Sequence, residues 1–147
     1  MTHEEFLSAL DQQRIVKAIA GAEERTSGEI RVHVQKRVGA TDIRNLAERT
    51  FERLGMTKTA ERNAVLLFIA SEDRAFTILG DSGIHAKVPD GFWDDVVAKL
   101  TIRFKSGEFT DGIVEAIEAA GEHLAAYFPR AGKEVNELSN EIDVSDE

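Results

Sequence analysis

The sequence predicts an α/β protein, a three-layer α/β/α sandwich around a small mixed sheet. Residues 64–70 form a continuous apolar run, which is typical of a strand covered on both faces. Residues 29–35 alternate between polar and apolar, which also indicates a strand. Helical patterns with one apolar side precede, separate and follow these strands. Because both faces of the apolar strand need cover, we expect helices on both sides of the sheet.

The first half of the chain is predicted to contain a helix, a strand and a second helix. Asp11 precedes apolar residues spaced by three and four, so a helix is expected to begin there. The alternation over residues 29–35 leaves one side of that strand polar, and we expect this side to face solvent. Thr41 or Asp42 can cap the next helix, and Gly55 lies just past its expected end.

The second half is predicted to contain two strands and two long helices. After the apolar strand, the short polar segment 71–73 indicates a hairpin, and residues 75–79 form a strand that ends at Gly80. Asp90 and Thr110 are each placed to cap a helix with an apolar side. The first helix of this pair is expected to bury Phe92 and Trp93.

Length and charge indicate one domain with a tail. The chain has 147 residues, with 18 Lys and Arg against 27 Asp and Glu, and a net charge of −9. This length suits a single domain, which we place at residues 1–130. Residues 131–147 carry one Lys against six acidic residues, which predicts an acidic and mostly disordered tail.

Composition excludes several classes of protein. The chain has no cysteine, which excludes disulfide scaffolds, thiolate metal sites and cysteine nucleophiles. No apolar run approaches the roughly 20 residues that a membrane helix needs, and the first residues lack the pattern of a signal peptide. Interspersed acidic residues weigh against nucleic-acid binding. We therefore expect a soluble, cytoplasmic protein that does not span a membrane.

The predicted topology brings polar residues to one end of the sheet. A parallel pair of strands followed by a hairpin places the starts of the first two strands beside the end of the third. The opposite end carries Arg37, Asp42, Asp73 and Arg74, which keeps Arg62 and Arg74 apart. Carboxylate and amide oxygens suit Ca²⁺ or Mg²⁺, and no organic cofactor is indicated. The candidate metal ligands are Asp81, Asp90, Asn63, Glu61 and Glu29, with His85 as a further candidate.

A structural interpretation of the same residues stays open. In it, residues 80–89 form an ordinary turn, Asp90 is a helix cap, and Glu29 and Glu61 are solvated. The remaining histidines, at positions 3, 33 and 123, share no metal-like spacing and are expected at the surface. No P-loop, dinucleotide-binding, GxSxG or HExxH motif is present, so catalytic residues are not identified.

Seven short segments between about residues 10 and 128 match a known pattern in order and spacing. They are residues 26–32 (TSGEIRV), 62–70 (RNAVLLFIA), 73–74 (DR), 80–84 (GDSGI), 88–90 (VPD), 104–109 (FKSGEF) and 111–113 (DGI). This series resembles the TPM domain family, which includes thylakoid lumen proteins of photosystem II repair and membrane-anchored bacterial proteins. The resemblance implies a three-layer α/β/α domain, and for some members acid phosphatase activity and calcium binding. Where members commonly carry glutamate, this chain has His85.

Two functions from different classes follow. The first is a protein-interaction module, serving membrane-protein maintenance through a membrane-associated partner, with a divalent-cation site at one end of the sheet. It would dock through that end or through the helix near Trp93, and exposure of Phe92 or Trp93 would favour it. The alternative is a metal-assisted acid phosphatase that hydrolyses phosphomonoesters at the same cation site.

Overall fold

The computed structural model describes residues 1–130 and 138–147, and residues 131–137 lie outside the described part. The elements in chain order are α1 (His3–Ala9), α2 (Gln12–Glu23), β1 (Glu29–Gln35), α3 (Ile43–Arg53), a 3-10 turn (Met56–Lys58), β2 (Ala64–Ala70), β3 (Ala75–Gly80), α4 (Ser82–His85), α5 (Asp94–Lys105), α6 (Phe109–Tyr127) and β4 (Asp143–Val144).

The four strands form one mixed sheet in the order β3-β2-β1-β4. β1 runs parallel to β2, and β3 runs antiparallel to β2 through the predicted hairpin. The predicted mixed sheet is confirmed, and β2 has the predicted bounds because its apolar run is itself the strand. β4 pairs parallel to β1 through two residues and had not been predicted.

Helices cover both faces of the sheet, which confirms the three-layer architecture. One face of β2, with Val65, Leu67 and Ile69, belongs to a core shared with α1, α2, α5 and α6. The alternate residues of β2 pack with Phe51 of α3 and Met56 of the 3-10 turn. Successive side chains of a strand point to opposite faces, and both faces of β2 are covered, so all seven apolar residues are buried. None of the helices in the described part is long and apolar enough to cross a membrane.

The starts of the helices agree only partly with the expectations. Asp11 caps α2 as predicted, and of the two candidates for α3 the cap is Asp42 and not Thr41. A helix starting at Asp90 was wrong: α5 begins at Asp94, because Gly91 in the intervening turn has a φ of +77°, outside the right-handed helical region. Thr110 lies inside α6, where its hydroxyl accepts a hydrogen bond from the Asp11 amide. Helix α1 had not been predicted.

The polar side of β1 is buried, not solvent-facing as expected. Glu29, His33 and Gln35 on this side are all buried, beneath the layer that contains α3. His33 is 1% exposed and stacks on Phe68, with ring centroids 4.9 Å apart. This side of β1 continues the face of β2 that carries Leu66 and Phe68, and the layer with α3 covers that face.

Residues 138–147 depart from the expectation of a disordered tail. They run beside β1, where the His33 ring and the Arg53 guanidinium donate to Asp143 at 2.6 and 2.9 Å. The main-chain oxygen of Glu147 accepts hydrogen bonds from Lys36 and Arg37, both at 3.0 Å. The acidic composition of this segment predicts exposure to solvent, but Asp143 and Glu147 accept hydrogen bonds from the domain. The part of the expectation that concerns residues 131–137 lies outside the described residues.

The expected surface position of the histidines is wrong for two of them. His33 is buried as described above, and His3 is fully buried, with its Nδ1 atom 2.8 Å from the Ser71 hydroxyl. Each is covered because it packs against residues far away in the chain. His123 is half-buried and forms a 2.9 Å hydrogen bond with Asp95.

Candidate functional site

The predicted end of the sheet is formed as the topology requires. Glu29 at the start of β1 pairs with Ala64, and Gly80 at the end of β3 pairs with the next residue of β2, Val65. The same end of the sheet therefore carries Glu29, Asn63 and Asp81, and we call it the Asp81 rim. Glu61, His85 and Asp90 lie on exposed loops and helix ends after or before these strands.

The Asp81 carboxylate accepts three hydrogen bonds at this rim. Its side chain caps α4 by accepting a 2.7 Å hydrogen bond from the Ser82 amide. Arg62 donates to both carboxylate oxygens, at 2.7 and 2.9 Å, which is a bidentate pair. The hydrogen bond and charge of Asp81 raise the pKa of Arg62 above its ordinary value. Arg62 therefore neutralises the carboxylate that was expected to bind a metal cation.

Gly83 lets the main chain of α4 approach the main chain of Arg62 closely. Its amide donates to the main-chain oxygen of Arg62 at 2.8 Å. A β-carbon at this position would lie within 2.5 Å of the same oxygen, closer than real side chains approach. The glycine is therefore required for α4 to sit against the segment that carries Arg62.

Two buried glutamates lie at the start of β1. Glu23, at the end of α2, accepts a 2.9 Å hydrogen bond from the Ile30 amide. Burial raises the pKa of Glu23 to about 7; the hydrogen bond from Ile30 opposes this rise and the charge of Glu29 adds to it. Glu29 in turn accepts a 2.8 Å hydrogen bond from the Leu138 amide. A carboxyl group that titrates near neutral pH can exchange a proton under physiological conditions.

Sequence reasoning missed Glu23, although a signal was present. Its position is four residues after Ile19, which places it on the buried side of α2. Glu23 is the last residue of α2 and is charged, so a pattern of apolar residues alone does not include it.

The predicted metal ligands are only partly brought together. Asn63 is buried and donates to the Ser27 hydroxyl at 3.1 Å, and Glu29 and Asp81 are engaged by N–H donors. Across residues 1–130 and 138–147, no three His, Asp or Glu side chains converge to hold a metal ion. In this arrangement the rim fits hydrogen-bond donors better than it fits a cation.

A cleft of about 500 Å³ opens beside Asp81. Its walls come from α3 and the end of β3, and they carry Asn45, Glu48 and Glu52 together with Asp81. The cleft is where a small molecule could approach the rim from solvent, and its charges are mainly negative.

An aromatic patch, consisting of Phe92, Trp93 and Tyr127, lies on the surface of the α5–α6 layer. The Phe92 ring contacts the rings of Trp93 and Tyr127, with centroids 4.7 and 5.5 Å apart. Contrary to expectation, Phe92 and Trp93 precede α5 and are half-buried. Tyr127 is 36% exposed, and Val97, one turn after Trp93, is 37% exposed.

These features define a small α/β/α domain with a polar rim at one end of its sheet and an aromatic surface on its helices. The family model for the TPM domain matches residues 1–123. The chain therefore belongs to the TPM domain family, and the resemblance found in the sequence is confirmed.

Two solved structures share the fold. The NMR structure of the BA42 protein from the psychrophilic bacterium Bizionia argentinensis superposes with a TM-score of 0.86 and 42% identity, covering 91% of this chain and 92% of that one. The N-terminal domain of the cg2496 protein from Corynebacterium glutamicum matches with a TM-score of 0.60 at 13% identity, over 88% of this chain and 75% of that chain, which shows the fold alone. No curated protein matches this chain.

Proposed function

We propose that this TPM domain is a non-catalytic protein-binding module, and that it docks through the aromatic patch. The observation that carries the proposal is the exposure of Tyr127 and Val97 beside the half-buried Phe92 and Trp93. Aromatic side chains with a rigid apolar surface supply much of the binding energy at protein interfaces. A membrane-associated protein is the partner that the family resemblance favours.

The charges around the patch define the kind of surface that it fits. Asp90, Asp94 and Asp95 flank the aromatic residues, and Asp95 is held by His123 at 2.9 Å. The hydrogen bond from His123 keeps the pKa of Asp95 below its ordinary value, so its carboxylate stays charged. A partner with an apolar centre and a basic margin complements this surface.

Site-specific crosslinking tests the docking surface. A photoreactive phenylalanine at position 97 should give one dominant crosslinked partner in cells, and Trp93→Asp should remove it. The same probe at the exposed position 49, on α3, should not capture that partner. Equal capture from both positions, or capture that survives Trp93→Asp, would reject the patch as the binding surface.

The second candidate is metal-assisted phosphomonoester hydrolysis at the Asp81 rim. What favours it is the cleft of about 500 Å³ that opens beside Asp81 and would let a small substrate approach the rim. Asp81, Asp90, Asn63, Glu61 and Glu29 remain the proposed ligands of Ca²⁺ or Mg²⁺, with His85 beside them. Cation binding there requires that Arg62 release Asp81.

Calorimetric titration with Ca²⁺ and Mg²⁺, with EDTA as control, separates the two functions. The second candidate requires saturable binding that raises the melting temperature, and hydrolysis of p-nitrophenyl phosphate. Asp90→Asn, an exposed change, and Asp81→Asn should both weaken it. Binding that neither variant changes excludes these ligands, and absence of any heat leaves the protein-binding module.

A further inference from the structure

A second cavity, of about 540 Å³, lies at the end of the sheet opposite the Asp81 rim. It is bounded by α1, by the β2–β3 hairpin and by the junction of α5 and α6. Four phenylalanines form its walls, and we call it the phenylalanine groove: Phe6, Phe76, Phe104 and Phe109.

The rings of the groove support one another. Phe104 contacts Phe109 and Phe76, with ring centroids 5.4 and 5.7 Å apart, and Phe6 contacts Phe109 at 4.9 Å. Phe6 is buried in the core, whereas the other three are half-buried and present part of each ring to the cavity. The walls therefore exist before any ligand enters, which reduces the entropy that binding must overcome.

The charge of the groove differs from that of the rest of the chain. Arg74 and Lys105 line it, and no Asp or Glu is among its lining residues. Within residues 1–130 and 138–147, neither cation forms an ion pair. The chain as a whole carries a net charge of −9, so two unpaired cations beside an apolar cavity form a local exception.

We propose that the phenylalanine groove binds an aliphatic carboxylate, a free fatty acid of medium chain length. The alkyl chain lies among the phenylalanine rings, where its removal from water supplies most of the affinity. The carboxylate lies at the mouth of the groove, beside Arg74 and Lys105. This site is separate from the aromatic patch and does not depend on the function proposed for that surface.

Calorimetry with a series of short amphiphiles, each kept below its micelle-forming concentration, tests the chemistry. We expect saturable binding of octanoate and decanoate, tighter by about tenfold for decanoate because it buries two more methylene groups. Decanol should bind at least about tenfold more weakly, because it lacks the charge. Equal affinity for decanoate and decyltrimethylammonium, or no saturable heat from any of them, would overturn the proposal.

Variants in the full chain locate the site. Arg74→Asn with Lys105→Ala should weaken decanoate binding at least about tenfold and leave decanol unchanged; asparagine tolerates the φ of +53° at position 74. Lys17→Ala with Arg49→Ala removes two exposed cations elsewhere and should have no effect. Thr101→Trp, which fills the groove, should abolish binding of both ligands.

NMR titration of the unmodified chain locates the ligand without a variant, so the result does not depend on whether a variant folds. Decanoate should shift amide signals of residues 69–76 and 101–109 and leave those of the Asp81 rim in place. Shifts concentrated at the aromatic patch or at the rim would place the ligand elsewhere and reject the groove.

Discussion

Glu23 shows how a single buried carboxyl group couples this fold to pH. Its folded pKa of about 7 lies above the ordinary 4.5, because burial disfavours the charged form. Between about pH 4.5 and pH 7, Glu23 is therefore protonated in the folded protein and ionised in the unfolded chain. The sign follows: the contribution of Glu23 to the free energy of unfolding falls as the pH rises from about 4.5 to 7.

We predict that Glu23→Gln removes this dependence. Glutamine stays neutral and still offers an oxygen to the Ile30 amide, so the variant should gain about 2 kcal/mol over the wild type between pH 5 and pH 8. Urea unfolding of both proteins at the two pH values measures the difference. Glu24→Gln, at the exposed neighbouring position, is the control. Parallel pH profiles for wild type and Glu23→Gln would show that Glu23 is charged in the folded state.

A pair of glycines gives a second prediction at this scale. Gly83→Ala should lower the free energy of unfolding by at least about 2 kcal/mol, because its β-carbon meets main-chain oxygens that cannot move independently. Gly21→Ala should raise it by up to about 1 kcal/mol, because Gly21 lies inside α2 with open space around it. Chemical denaturation of both variants provides the measurement. Tolerance at Gly83 would contradict the packing described for the rim, and a loss at Gly21 would contradict the open space around it in α2.

β4 has two residues and is attached by side-chain as well as main-chain hydrogen bonds. Its Asp143 carboxylate accepts from His33 and Arg53. Burial opposes ionisation of Asp143, but these hydrogen bonds outweigh it and hold its pKa below the ordinary value. The contribution of Asp143 is therefore present above the ordinary carboxyl pKa and lost as the pH falls through the lowered one.

We predict that Asp143→Ala releases the last segment without unfolding the domain. The amides of Lys36, Arg37 and Ser145, which are bonded across this junction, should exchange with solvent at least about tenfold faster. Amides between β2 and β3 should keep their protection. Glu141→Ala, which removes an exposed carboxylate two residues before Asp143, is the matched control. Unchanged exchange in Asp143→Ala would mean that the segment is held by other contacts.

The elements also show what local sequence can predict. β2 was predicted with its observed bounds because its signal, an apolar run, lies within the strand. The caps at Asp11 and Asp42 were found for the same reason. β4 and the buried state of His33 could not be predicted, because each depends on a partner 110 residues away in the chain. At the rim, topology placed Asp81 correctly, but its pairing with Arg62 required side-chain geometry.

At the scale of the whole molecule, the acidic tail changes both charge and shape. Residues 131–147 contribute one Lys and six acidic residues, so their net charge is −5 of the total of −9. Residues 138–147 also cover the edge of β1 and the Glu29 side chain. Charge and an occupied edge both act against association of sheets between molecules.

We predict that a chain ending at Arg130 is less stable and more prone to self-association. Uncovering the β1 edge and halving the net charge should shift sedimentation toward larger species as concentration rises. The full chain, measured over the same concentrations in the same buffer, is the reference. Identical sedimentation and unfolding curves would show that the tail protects neither the edge nor the fold.

β4 is synthesised long after the three strands that it joins. β1, β2 and β3 are complete by residue 80, whereas β4 begins at residue 143. A nascent chain can therefore assemble most of its sheet long before the final strand emerges from the ribosome. The contact between His33 and Asp143 spans 110 residues, and closing so long a loop is slow on the scale of local contacts.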